Sequence, residues 1–271
     1  MSKWMMAAAV SAVSVASAAW APGAVAAPTC SVVIDTASGQ VLHRSGECDT
    51  RESPASSFKV PLAVMGFASG VLKDAHAPVW KYKPEYEAWM AAWKQDIDPT
   101  AWLRDSVVWY SQELTQKMGM AAFKGYLDAW SYGNRDVTGD PGKNNGLTHA
   151  WLSSSLAISP DEQVAFLRRL QQQQLGLPPD VMAKTQSAMP TFPVKPGWTL
   201  YGKTGSGFQK DAKGAIERAR QFGWFVGWAT NGKRTVTFAR LVRDDSKTEG
   251  YGGPRARDGM LKDLPAWLPA D

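Results

Sequence analysis

The chain has 271 residues, 44% of them hydrophobic and 20% charged, with a formal net charge of +5. That is an ordinary globular composition, large enough for a substantial core in one large domain or two modest ones. The basic residues are scattered rather than gathered in a block, which argues against a nucleic-acid or membrane-surface role.

Lys3 precedes an almost wholly small or apolar run over residues 5–19, and Ala24-Val25-Ala26 supplies a small-x-small cleavage site. Residues 1–26 therefore read as a removed export signal. Serines interrupt the apolar run, and Pro22, Gly23 and Pro28 follow it, which suits processing better than a membrane anchor. Nor does Ala27-Pro28-Thr29-Cys30 match a lipid-attachment box. Loss of Lys3 lowers the charge by one, from +5 to +4.

Cys30 and Cys48 are the only cysteines, and export makes a disulfide between them the expected state, with two free thiols as the alternative. Between them lies a hairpin pattern: an apolar run over 31–35, a Ser38-Gly39 turn and a second run over 40–43. The cysteines stand symmetrically about Gly39, so an antiparallel ladder sets them nearly opposite each other, within bridging distance.

From about residue 53 to 189 helix signals dominate. In the clearest, Ser159 caps, Pro160 opens the first turn, Glu162 completes a capping box, and Val164, Phe166, Leu167 and Leu170 supply an apolar face. Strands are expected over 198–203, 223–229 and 234–242, with Asn231-Gly232 as a tight-hairpin signal, and an amphipathic helix over 257–268. Strands at both ends of a long helical stretch pack most economically as one mixed sheet with helices on its faces, beside a second, helical lobe. The cleft between the lobes is the expected site.

His43, His76 and His149 are the only histidines, and their spacing supports neither a Ser-His-acid triad nor a metal centre, so no metal is expected. A better candidate lies in Ser53-Pro54-Ala55-Ser56-Ser57-Phe58-Lys59, read as a helix start with Ser53 as cap and Pro54 in first position. Ser56 then falls in the first turn, where backbone N–H groups lack internal partners and can meet developing negative charge. Lys59, three residues on, shares the helix face of Ser56, and the apolar run 60–65 desolvates its amine, as a base requires. Ser-x-x-Lys alone can arise by chance in a chain of this length. Lys203-Thr204-Gly205, at the end of an expected strand, adds a charge and a hydroxyl suited to a substrate carboxylate, with small residues that let a substrate lie along the strand.

Ser-x-x-Lys before a helical lobe and Lys-Thr-Gly after it resemble the penicillin-recognising serine enzymes, β-lactamases and penicillin-binding transpeptidases. Ser106-Val107-Val108, Trp109-Tyr110-Ser111-Gln112, Tyr132-Gly133-Asn134, the run 139–147, Trp151-Leu152 and the run 223–228 are together similar to class D β-lactamases, the oxacillinases. The resemblance covers essentially the whole mature chain. It implies a mixed α/β fold, an antiparallel sheet flanked by helices with an inserted helical lobe: a sheet lobe of about 27–60 and 191–271 and a helical lobe of about 61–190, forming one catalytic domain over 27–271.

The resemblance also implies roles. Ser56 is acylated by a β-lactam, and Lys59 carries carbon dioxide as a carbamate, the general base, so dissolved carbon dioxide or bicarbonate is needed and no other cofactor. Trp151 donates to the carbamate, Val108 and Leu152 wall its pocket, and Ser106 relays a proton to the leaving nitrogen. Lys203, Thr204 and Arg255 hold the substrate carboxylate, Ser206 supplies a second oxyanion N–H, and Tyr132, with Asn134, shapes the site. The expected product is a periplasmic β-lactam hydrolase that confers resistance, acting on small molecules, with no nucleic acid, protein partner or membrane anchor after processing. An antibiotic sensor or a D,D-peptidase of the same fold is the alternative. The long charged segment 207–221 is expected to be a loop bordering the cleft.

Overall fold

A computed structural model describes Met1 and residues 30–269, and the export signal assigned to residues 1–26 lies, Met1 apart, outside the described residues. The first apolar run forms β1 (Cys30–Asp35), which turns back into β2 (Val41–Gly46). The Asp35 carboxylate closes the turn by accepting from the Ser38 N–H and hydroxyl, each at 2.9 Å. The Cys30–Cys48 disulfide is present, with Cα atoms 5.1 Å apart. Its placement departs from the expected one. The ladder is centred on Ser38 rather than Gly39, so Cys30 faces Gly46 and Cys48 lies past the end of β2. The bond ties the exit of the hairpin to its first residue.

The later strands are β3 (Thr191–Lys195), β4 (Trp198–Lys210), β5 (Ile216–Thr230) and β6 (Thr235–Arg243). The sheet runs β2-β1-β6-β5-β4-β3, and every neighbouring pair is antiparallel, so it is not mixed. Hairpins join β3 through β6 in sequence, and β6 returns antiparallel beside β1, which leaves no place for a parallel crossover. The sequence pattern missed β3. Its Pro193 lacks a donor, a defect that only an edge strand tolerates.

The segment 207–221 is not a loop. β4 and β5 stay paired through Phe208↔Gln221 to Lys210↔Ile216, leaving a turn of residues 211–215. Charges on both faces hid these strands, because strand periodicity in a sequence reports a buried face and the outer part of this hairpin has none.

Seven helices complete the chain among the described residues: α1 (Lys59–Ala68), α2 (Pro99–Asp105), α3 (Val108–Ala129), α4 (Gly146–His149), α5 (Pro160–Gln171), α6 (Val181–Ala188) and α7 (Gly252–Trp267). The capping box of α5 forms as its sequence dictates, with the Glu162 N–H donating to the Ser159 hydroxyl at 3.2 Å and the Ser159 N–H to the Glu162 carboxylate at 2.9 Å. α7 begins five residues before the expected start. α1 is buried from Lys59 through Phe67 and packs against α3 and α6. Alternation along the strands divides the apolar side chains into two cores. Val32 and Ile34 join Trp224, Val226 and the helices, whereas Val33 joins Phe225, Phe238 and the α7 residues Ala256, Met260 and Leu264.

Candidate active site

The site is assembled where the start of α1 meets the face and free edge of β4. Residues Ala55–Phe58 form a 3-10 turn leading into α1. Ser53 does not cap it. The Ser53 hydroxyl donates to the Trp151 carbonyl at 2.9 Å and accepts from the Ser153 N–H at 3.0 Å, tying the turn to the segment after α4. Pro54 takes the cap position, and Ala55 adopts a left-handed φ of 47°, which a residue with a Cβ resists. Ser56 follows this kink and is half-buried, between the buried Ala55 and Ser57. The Ser57 N–H donates to the Pro54 carbonyl, while the Ser56 N–H has no acceptor among the described hydrogen bonds.

Lys59 Nζ donates to Ser56 Oγ at 3.0 Å, and the lysine side chain is 0% exposed. Burial, reinforced by the charge of Lys203, holds its amine well below the ordinary lysine range, so the neutral form is favoured. Lys203, 2% exposed on β4, donates to Ser106 Oγ and to the Thr204 carbonyl, both at 3.0 Å. Burial lowers its pKa to about 7. Ser106 ends α2 in a left-handed conformation, φ 62°, and this turns its hydroxyl toward the strand. Ser56, Lys59, Ser106 and Lys203 thus come together from four elements, the 3-10 turn, α1, the end of α2 and β4.

β4 is paired with β3 only from Trp198 to Tyr201, and the Gly202 N–H donates to the Pro190 carbonyl beyond that edge. Period-two alternation sends the Thr204 and Ser206 N–H groups to the same, otherwise open, edge. The Ser206 hydroxyl is occupied, accepting from the Gly253 N–H of α7 at 2.9 Å. Gly205 is dictated by contact: a Cβ there would lie 2.8 Å from the Ser57 nitrogen and 2.9 Å from the Pro54 oxygen. The Lys-Thr-Gly strand and the serine turn fit only because position 205 has no side chain.

Trp151 is fully buried against Phe58 and Phe123, and its indole N–H has no partner. Trp198 shares this lack among the described residues, whereas other buried indoles are paired: Trp102 donates to Ser111, Trp109 to the Trp93 carbonyl and Trp224 to the Ser53 carbonyl. An orphaned donor in a core is costly, so an acceptor is expected to reach it. Val108 is buried at the start of α3, and Leu152 is partly buried against the same core.

The family model for the penicillin binding protein transpeptidase domain matches residues 29–264. The chain is 44% identical over 241 residues to β-lactamase OXA-9 of Klebsiella pneumoniae, covering 88% of each chain. The crystal structure of the class D β-lactamase OXA-427 superposes with a TM-score of 0.83 at 40% identity, over 88% of this chain and 97% of that one. The chain belongs to the class D β-lactamases. The C-terminal domain of the Bacillus licheniformis BlaR penicillin receptor, at 23% identity and a TM-score of 0.75 over 89% of this chain and 91% of that one, shares the fold.

In this class D enzyme one expected residue has another partner. Arg255 was expected to offer its planar fork to a substrate carboxylate, but that fork closes on Asp244, at 2.8 and 2.5 Å. Asp244 is 4% exposed, and a buried carboxylate demands such a partner. Arg104 and Arg257, which the sequence did not single out, instead line a concavity of about 290 Å³ with Lys203 and Thr204. Tyr132 is buried against Phe58 and Phe166 and donates to the Gln163 side chain at 3.3 Å. Burial pushes its phenol above the ordinary tyrosine range, so it remains a neutral donor. Asn134 braces the backbone, donating to the Ser155 carbonyl and accepting from the Ala157 N–H. A larger cavity, about 490 Å³, lies beyond Ser53 and Ser153, where Arg51, Arg220 and Arg243 are paired with Glu162, Glu217 and Glu52. Among the described residues no His, Cys, Asp and Glu cluster could hold a metal ion, and no helix is long and apolar enough to cross a membrane.

Proposed function

We propose that this enzyme opens the β-lactam ring of penicillin-type antibiotics through an acyl-enzyme on Ser56 and thereby confers resistance. The observation that carries this reading is the 3.0 Å contact between Ser56 Oγ and a fully buried Lys59. A neutral amine at that distance can take the serine proton as the oxygen attacks the lactam carbonyl. The Ser56 N–H, free of an acceptor among the described hydrogen bonds, and the Ser206 N–H on the open edge of β4 are the donors offered to the developing oxyanion. Lys203 and Thr204 hold the substrate carboxylate. Because Lys203 has a pKa of about 7, it can pass a proton through Ser106 to the departing nitrogen and regain it near neutrality.

Lys59 and its surroundings also fit carboxylation. A buried neutral amine is the species that adds carbon dioxide, Val108 and Leu152 supply apolar walls, and the unpartnered Trp151 N–H offers a donor. Carried on Lys59, the carbamate would supply the anionic base for both acylation and deacylation. The export signal and the disulfide support a periplasmic location.

Turnover of a chromogenic cephalosporin and of oxacillin, followed with and without bicarbonate, tests both parts. Catalytic turnover that falls on bicarbonate removal is expected, together with a carbamate carbon signal from labelled bicarbonate that disappears in Lys59→Ala. Stoichiometric acylation without turnover would instead mark a sensor. Full activity without bicarbonate and no labelled signal would exclude the carbamate.

A further inference from the structure

One buried polar residue near the site belongs to none of the roles above. Gln163, on α5, is 1% exposed and faces the core beside Val164, Phe166 and Leu167. Its amide oxygen accepts from the Tyr132 hydroxyl at 3.3 Å, and its amide nitrogen donates to Ser57 Oγ at 3.1 Å. Ser57 in turn donates its hydroxyl proton to the Pro54 carbonyl at 2.7 Å, while its N–H reaches the same carbonyl at 3.1 Å. The chain Tyr132, Gln163, Ser57, Pro54 therefore ends on the two residues that bracket Ala55 and Ser56.

The first of the bracketed pair, like Ser106 across the site, is held in a left-handed conformation. Ala55 holds a left-handed φ of 47°, and such a conformation persists only where its surroundings over-determine it. Gly205 confines the turn from the strand side, but packing alone does not fix the orientation of the Pro54 carbonyl. A serine hydroxyl that gives its one proton to that carbonyl does so more firmly when a donor occupies its lone pair. Gln163 is that donor, and Tyr132, kept protonated by burial, fixes which end of the amide faces Ser57. The base of α5 is anchored in turn by its capping box and by Arg51, which pairs with Glu162 at 2.5 Å.

We infer that Gln163 is a positioning residue for acylation: through Ser57 it clamps the Pro54–Ser57 turn, holding Ser56 Oγ on Lys59 and the Ser56 N–H toward the oxyanion. This inference rests on Ser56 being the acylated residue. It assigns no contact with substrate to Gln163.

The test is pre-steady-state acylation of the full mature chain by a chromogenic cephalosporin, with the site of the adduct found by peptide mass. In the wild type the adduct must fall on Ser56; an adduct elsewhere defeats the acylation reading itself. Given that adduct, Gln163→Met, which keeps length and removes both polar ends, should slow acylation by about 10- to 100-fold with little change in the substrate dissociation constant. Ser57→Ala should do the same, and the double variant should be no slower than the slower single one, because both cut one chain. A residue serving stability alone would lower Tm and leave the acylation rate of the folded fraction untouched. Tyr132→Phe, which leaves Gln163 in place but unoriented, should give a smaller loss of the same kind and provides the reading if Gln163→Met does not fold. Acylation within about twofold of wild type in the folded variants, or losses that multiply in the double variant, would overturn the inference.

Discussion

Two buried lysines lie close enough for the charge of one to act on the other, and they differ in what surrounds them. Lys59 lies at the start of a helix buried from Lys59 through Phe67, with Ser56 as its hydrogen-bond partner. Lys203 lies on a strand at the cleft edge, with a hydroxyl and a carbonyl within 3.0 Å. Both are desolvated, yet the first is driven well below the lysine range and the second only to about 7. Burial lowers both, and at Lys59 the charge of Lys203 lowers it further. On the proposed mechanism the helix region supplies the base and the strand region a cation that can exchange its proton.

The largest expected effect separates these roles. Lys59→Ala should lower kcat by about 10⁴-fold or more, because nucleophile and base act as a unit. Lys203→Met should lower kcat/KM by about 10²-fold, the scale of losing one electrostatic holder. Steady-state kinetics on a single penicillin checks both, and equal losses would dissolve the distinction. Next in size, Trp151→Phe removes the orphaned donor while preserving packing, and should slow deacylation by roughly 10-fold or more. Intact mass during turnover should then show accumulated acyl-enzyme, and a wild-type distribution would mean that the indole serves packing alone.

The smallest effect is thermodynamic. Below about pH 7 Lys203 is protonated in both folded and unfolded chains, and its burial penalty is complete. Between about 7 and the ordinary value of 10.5 the unfolded chain binds the extra proton, so stability rises with pH across that window. Lys203→Met should therefore melt above wild type near about pH 6, by some 2–4 °C per kcal/mol relieved, with the gap closing toward about pH 10. A pH-independent gap would assign the effect to packing.

Local chemistry was legible in the sequence wherever a pattern reports on its own neighbourhood. Ser159 and Glu162 announced the start of α5, Asn231 and Gly232 the last hairpin, and Ser56 with Lys59 the hydroxyl–amine contact, because each pair is joined by a few bonds along one helix or turn. The Cys30–Cys48 pairing followed from there being only two cysteines, although its place at the end of the ladder did not. What the pattern missed depends on partners distant in the chain. The β4–β5 extension has no buried face to betray it, and the fork of Arg255 is claimed by Asp244. Gln163 left one local sign, a polar residue on the apolar face of α5, but its meaning lay 106 residues away at Ser57. The sequence by itself determined the family and singled out the candidate reacting residues, since covalent order fixes motifs. Only the tertiary structure decided which donors remain free, which cations are already paired and what holds a left-handed Ala55 in place, since burial and hydrogen-bond satisfaction are properties of packed neighbours and not of residue types.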